Sequence, residues 1–205
     1  MKKWWNGWKK EMSKDSNKII AALLFLTIAV IINHASGTYI DQQAVLREVP
    51  DLILDNIPPM DLSFFYIWGY VAVIGVFVLY PLLFNPKKLS YSLGMMGIFI
   101  LIRASFIILT HLKTPVDAIS APFPWYLGFL SFKNDLFFSG HTGLPFLGFL
   151  IFRKESKFMK YFMLSASFVL GATVLLMHAH YSIDVISAFF ITFGIFTIGN
   201  HFYKK

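Results

Sequence analysis

Cysteine is absent from all 205 residues, which excludes disulfides, thiolate metal sites and a cysteine nucleophile. Charge is scarce too: Asp, Glu, Lys and Arg make up 14% of the chain, against the roughly 25% of an ordinary soluble domain. No H-E-x-x-H or comparable ligand spacing occurs, so a zinc site built from His141, His180 and Asp184 has no motif behind it, and no metal or other cofactor is expected. No internal repeat or low-complexity linker divides the chain. The net charge of +7 does not imply a nucleic-acid partner, because the basic residues fall in short clusters between apolar runs.

Apolar sequence dominates, at 57% of residues. Six runs approach the roughly 20 residues that cross a hydrocarbon core of about 30 Å. They are Ile19 to Ile40, Leu62 to Phe84, Leu89 to His111, Ser139 to Phe152, Phe158 to Met177 and Ile183 to about Phe202. In a bilayer every backbone polar group needs a partner, which helices supply from within. The prediction is an all-α integral membrane six-helix bundle, with residues 19–205 forming a single six-span catalytic domain. Residues 1–18 are basic and rich in tryptophan, and Trp4, Trp5, Trp8 and Met12 repeat at helical spacing among lysines, as in an amphipathic helix lying on anionic headgroups. The first span is read as an anchor, since its basic flank and apolar run are both long for a cleavable signal.

Charge sets the expected orientation. With the N-terminus inside, the inner side holds Lys2, Lys3, Lys9, Lys10, Lys14, Lys18, Lys87, Lys88, Arg153, Lys154, Lys157, Lys160, Lys204 and Lys205, against Arg47, Lys113 and Lys133 outside. Both termini are therefore predicted to be cytoplasmic. Asp61, Asp117, Asp135 and Asp184 fall on the outer side, so the chemistry is expected to face the extracytoplasmic side, in a bacterial plasma membrane.

Two polar segments interrupt the apolar pattern. In His178-Ala179-His180-Tyr181-Ser182-Ile183-Asp184, residues 180 and 184 stand one helical turn apart, so Asp184 can hold the imidazole of His180 while the other ring nitrogen faces a substrate. Ser139-Gly140-His141-Thr142 opens the fourth span, where unpaired amides and the positive helix end suit a phosphate, and His141 supplies a second acid-base group. Arg103 lies inside the third span. A charge there costs on the order of 3 kcal/mol, which marks it as facing a polar cavity or partner. His34, His111 and His201 sit near span ends, where structural roles are the rule, while His178 is read as a residue that supports the site from behind or touches the headgroup.

The segments Asp135-Leu-Phe-Phe-Ser139-Gly140-His141-Thr142 and His178-Ala-His180-Tyr181-Ser182-Ile183-Asp184-Val185 resemble the two catalytic motifs of the sphingomyelin synthases, a branch of the type-2 phosphatidic acid phosphatase superfamily. Pro58-Pro59-Met60-Asp61 resembles that family's Pro-Pro-x-x-Asp segment, and Arg103, Thr110 and Leu112 resemble its arginine-containing motif. The Lys-x6-Arg-Pro motif of the superfamily's phosphatases is absent, Val174 stands where they carry arginine, and Gly194 stands where a basic residue is expected in the synthases. The resemblance implies a metal-free phosphotransferase or phosphohydrolase with a His-His-Asp triad. His180, oriented by Asp184, attacks phosphorus to form a phosphohistidine, and His141 protonates the leaving oxygen. Arg103 and the amides of Ser139 and Gly140 then bind the phosphate oxygens. The implied substrate is a phospholipid, with water or a lipid alcohol such as ceramide or diacylglycerol as acceptor. Asp61 and Asp135, with His178 and Tyr181 nearby, are expected to favour a cationic headgroup. The alternatives are a plain lipid phosphate phosphatase acting on phosphatidic acid or a polyprenyl phosphate, and a non-catalytic lipid-binding or transport protein. Oligomeric state is not legible in the sequence.

Overall fold

Long apolar runs that must satisfy their own backbone become helices, and in a computed structural model, which describes residues 2–43, 45–130 and 132–203, they do. Met1, Ala44, Ser131, Lys204 and Lys205 lie outside the described residues, as do the side chains of Lys2, Lys3 and Trp4, so those parts of the charge count and of the tryptophan pattern have no structural counterpart. The helices are α1 (Lys2–Lys14), α2 (Ser16–Asp41), α3 (Tyr70–Phe84), α4 (Leu89–Thr110), α5 (Gly140–Phe152), α6 (Lys157–Leu176) and α7 (Ser182–Tyr203). A π-turn, Phe65–Gly69, leads into α3. Among the described residues the only pairing of strand type is an isolated bridge between Arg47 and Leu112.

Among the described residues five helical stretches are long and apolar enough to cross a membrane: Ser16–Asp41, Phe65–Phe84, Pro86–Thr110, Lys157–Leu176 and Ser182–Tyr203. The remaining expected span is α5, which at 13 residues is about 20 Å long, shorter than a 30 Å core. It lies at the centre. Eleven of its 13 residues, including His141 and Thr142, are buried, and it packs on both α6 and α7. Small residues permit that approach: a β-carbon on Gly148 would meet Met163 at 2.8 Å, and the Ser167 hydroxyl of α6 donates to the Thr142 carbonyl at 2.8 Å. The core around it joins Phe77, Phe99, Phe138, Leu147, Phe152 and Met163.

The bundle has two chemically distinct ends. At one, Lys87 pairs with Glu11 of α1, Lys88 with Glu155, and the Trp8 indole donates to the Leu82 carbonyl, which docks α1 beside the end of α3. At the other end the loops between α2 and α3, α4 and α5, and α6 and α7 converge. Arg47 N donates to the His111 carbonyl at 3.3 Å, Lys113 N donates to the Arg47 carbonyl at 3.0 Å, and Met60 N donates to the Leu176 carbonyl at 2.7 Å. Both histidine segments lie at this second end.

Candidate active site

Ser139 ends the loop before α5 in an extended conformation, and its hydroxyl accepts from Thr142 N. Its own amide donates to the backbone carbonyl of Asp184 at 3.1 Å, which ties the start of α5 to the start of α7. Ser139 is fully buried, so the amide expected to meet a phosphate is instead engaged in holding the two motifs together. Gly140, the first residue of the helix, retains an N–H with no intrahelical partner and lines the cavity described below. A β-carbon there would stand 3.2 Å from both Arg103 Nε and Tyr70 Oη, so glycine is what lets the guanidinium approach the helix start.

His180 lies in the turn before α7 and not on the helix, a correction to the one-face reading of the 180/184 pair. The spacing still works because Tyr181 stands just before the first residue of α7: its carbonyl accepts from Asp184 N at 3.0 Å, which brings Asp184 back beneath the turn. His180 Nδ1 donates to Asp184 Oδ2 at 3.1 Å, and Tyr181 N donates to the same oxygen at 3.2 Å. Asp184 is fully buried in the first turn of α7, where the helix dipole favours a carboxylate. With Nδ1 occupied, Nε2 of His180 is the nitrogen left for chemistry.

His141 sits between two tyrosine rings from the π-turn and α3, Tyr66 and Tyr70, each with its centroid 4.2 Å from the imidazole. Its Nε2 donates to the Tyr66 carbonyl at 3.1 Å, leaving Nδ1 for proton transfer. The stacking fixes the ring plane, and π-turns of this kind recur at functional sites. No sequence signal marked Tyr66 or Tyr70. Their spacing of four is only the spacing of one helix face.

Arg103 reaches from α4 to the loop before α5. Its Nε donates to the Phe138 carbonyl at 3.0 Å, Nη2 to the Asp135 carbonyl at 3.2 Å, and Nη1 lies 2.8 Å from Asp135 Oδ1. A guanidinium has five N–H donors, so two remain for a ligand. Asp135 is thus the counter-ion of Arg103, not a free carboxylate for a headgroup cation.

Arg103, Gly140, His141 and His180 share a cavity of about 730 Å³, far larger than one phosphate. Its outer wall comes from the segment between α4 and α5, notably Lys113, Pro115, Phe123 and Lys133. Asp61 is not part of the lining. It is exposed and accepts from the Ser63 hydroxyl and amide, which hold its carboxyl below the ordinary carboxylate value. Tyr181 is buried outside the lining, its hydroxyl donating to the Lys113 carbonyl at 2.9 Å. His178 faces Asp117, with Nδ1 2.8 Å from Oδ2. Of the acids expected at the mouth, only Asp135 lines the cavity, against three cations, Arg103, Lys113 and Lys133. Among the described residues no group of three His, Asp or Glu side chains is placed to hold a metal ion.

Asp51 is a structural residue that the sequence reading did not single out. Its Oδ2 accepts from Ser182 N at 2.6 Å and its carboxylate from the Ser182 hydroxyl at 2.8 and 2.9 Å, capping α7 from 131 residues away, while Oδ1 accepts from Ile53 and Leu54 N. Burial pushes its carboxyl up, but the bonds from Ser182, Leu54 and Ile53 outweigh that and hold it below the ordinary value. Such a group contributes stability that is complete above about pH 4 and is lost as the pH falls through the depressed folded value. Asp51→Ala is expected to cost about 2 kcal/mol at pH 7. The difference from wild type should shrink toward pH 3, as read by thermal unfolding at both pH values. A variant equally stable at pH 7 would remove the cap.

Residues 134–201 match the family model described as PAP2 superfamily C-terminal. Comparison with curated proteins and with solved structures gave no match. The matched third of the chain contains Ser139, His141, His180 and Asp184 together with α5, α6 and nearly all of α7, and it supports the resemblance of this part of the chain to the type-2 phosphatidic acid phosphatase superfamily.

Proposed function

We propose that the protein is a membrane enzyme that transfers the phosphate of a lipid phosphate ester through a phosphohistidine on His180. The observation that carries this reading is the convergence of His180 Nε2, His141 and the two unengaged Arg103 N–H donors on one cavity, with Asp184 behind His180. In the first step Nε2 attacks phosphorus, the bond from phosphorus to the lipid oxygen breaks, and the departing oxygen takes a proton from His141. In the second step an acceptor hydroxyl loses its proton to His141 and attacks phosphorus as the bond to nitrogen breaks. Arg103 and the Gly140 amide bear the charge that builds on the equatorial oxygens. The acceptor is water or a lipid hydroxyl such as that of ceramide or diacylglycerol. Assays with and without the alcohol separate hydrolysis from a sphingomyelin synthase-like transfer.

The lining charge favours the alternative substrate class over the zwitterionic phospholipid suggested by the sequence. Asp135 is engaged by Arg103, Asp117 by His178, and Lys113 and Lys133 stand at the wall, so a headgroup with extra negative charge is favoured over one carrying choline. Lys113 also pairs with Glu48 at 2.6 Å, which leaves Lys133 as the freer cation. An exposed cation of this kind contributes on the order of 1 kcal/mol, or about fivefold. At equal surface concentration, phosphatidic acid should show the higher kcat/KM, and Lys133→Gln should reduce its lead over phosphatidylcholine about fivefold. A higher kcat/KM for headgroup release from phosphatidylcholine would reverse the assignment.

The clusters at the α1 end and the acids at the other support a cytoplasmic placement of both termini and an extracytoplasmic cavity, with α1 on the inner headgroups. Because the chain has no cysteine, single substitutions test this. An impermeant thiol reagent applied to intact cells should label Leu52→Cys and Val116→Cys, which replace residues 85% and 80% exposed, but not Lys87→Cys or Lys154→Cys. The reverse pattern would put the cavity on the cytoplasmic side.

A further inference from the structure

The turn that carries His180 also grips the wall of the cavity. Residues 113–123 form that wall, and three successive contacts fasten them to residues 177–181. Ile119 N donates to the Met177 carbonyl at 2.9 Å, Asp117 Oδ2 lies 2.8 Å from His178 Nδ1, and the Tyr181 hydroxyl donates to the Lys113 carbonyl at 2.9 Å. His178 is 1% exposed and has φ 53°, a left-handed conformation that side chains other than glycine and asparagine adopt at a cost. Such a conformation persists where surrounding contacts over-determine it. Here its result is to aim the imidazole away from the His180 cavity and at Asp117.

A second cavity, of about 400 Å³, lies on the other side of the same wall. Pro115 and Val116 line both, while Asp117 and His178 line only the second. The wall is therefore a single layer of chain with open volume before and behind it, and Val116 and Asp117 themselves are largely exposed. The ends of the segment are held elsewhere, Lys113 by Glu48 and the Arg47 carbonyl, Thr114 by Asn134, and Phe123 by the Tyr66 ring, so its middle is seated by the Ile119–Met177 bond and by the Asp117–His178 pair, the side-chain contact nearest the His180 turn. The other charged groups facing the pair are Glu48, Asp51 and Asp55 across the second cavity.

From this arrangement we propose that Asp117 and His178 are positioning residues that seat the 113–123 segment over the phosphate site, so that breaking their contact opens the His180 cavity to solvent without disturbing α5 or α7. The inference rests on the reading of that cavity as the phosphate site. Its physical content, access made easier by loss of one contact, is measurable without turnover, so a failure of the enzymatic reading and a failure of the latch give different results.

The test uses the full-length protein in lipid nanodiscs, with Ala179→Cys as a reporter on a residue that lines the His180 cavity in a chain free of other thiols. Reaction of that thiol with a soluble maleimide should be about fivefold faster when Asp117→Ala is added, as expected for a local opening made easier by loss of one half-exposed electrostatic contact. Amide exchange of residues 113–123 should rise by the same factor, while that of α5 and α7 stays within twofold. His178→Asn, which tolerates the left-handed backbone, is the second variant and should act in the same direction. Labelling and exchange unchanged in both variants would overturn the proposal. So would a rise in α5 and α7 exchange equal to that of the wall, because it would mean general loosening.

Discussion

Replacing His180 with alanine is expected to abolish both lipid turnover and formation of a phosphorylated protein, the largest effect any single substitution here should produce. The geometry leaves no substitute nucleophile. Nε2 of His180 faces the cavity only because Nδ1 is bonded to Asp184 at 3.1 Å, and His141 is held in its own plane by Tyr66 and Tyr70 with Nε2 on the Tyr66 carbonyl. Asp184→Asn should retain the protein's fold yet lower kcat by about 10³-fold or more, since an amide in place of the carboxylate neither fixes the tautomer nor supports the positive charge on the ring during attack. His141→Ala should differ in kind. With a natural lipid, whose leaving oxygen needs a proton, turnover should fall by about 10²–10⁴-fold. With a nitrophenyl phosphate ester, whose leaving group departs unprotonated, the variant should still accumulate phosphohistidine, because capture of phosphorus by His180 is intact and only its release is slowed. Acid-labile phosphate on the isolated protein, measured with both substrates, separates the two roles. Phosphohistidine formed at the wild-type rate by the His180 variant would remove the nucleophile assignment altogether.

The helices were legible because long apolar runs must satisfy their own backbone, and the helix limits differ from the apolar runs by only a few residues: α4 runs Leu89–Thr110 where the run was Leu89 to His111, and α6 runs Lys157–Leu176 where it was Phe158 to Met177. The second span is the exception. It opens with the π-turn Phe65–Gly69, whose altered backbone has no signature in hydrophobicity. Site geometry was legible where it is local. The pairing of His180 with Asp184 follows from spacing alone, although spacing could not tell a helix face from a turn that feeds a helix. It was not legible where distant segments meet. Asp135 is negative and adjoins Ser139 in sequence, which says nothing of the 32 residues that separate it from Arg103, and Asp51 reaches Ser182 across 131. Those contacts decide that one acid balances a buried guanidinium and the other caps a helix. The expectation of a cationic headgroup followed from counting acids on the outer side without knowing which of them were already engaged.

Arg103→Ala is expected to damage stability and chemistry together, and the two losses can be separated. The Arg103 side chain is 10% exposed, and its removal leaves Asp135 with no counter-ion and two carbonyls, that of Phe138 buried and that of Asp135 partly buried, without their donor. Breaking a buried pair from one side in this way costs about 3–5 kcal/mol. The same substitution removes the N–H donors that face the cavity beside Gly140, which should lower kcat/KM by about 10²–10³-fold among the molecules that fold. Arg103→Lys should not restore either property, because an ammonium is a point charge without the planar fork that serves Nε, Nη1 and Nη2 at once. The discriminating variant is the double replacement Arg103→Met with Asp135→Leu. It removes both charges, so the uncompensated carboxylate that dominates the stability loss is gone, and thermal unfolding in nanodiscs should return most of the way to wild type. Activity should remain about 10²-fold or more below wild type, since no donor to the phosphate has been put back. A double variant that regained turnover along with stability would mean that Arg103 holds the loop before α5 in place and takes no part in binding phosphate.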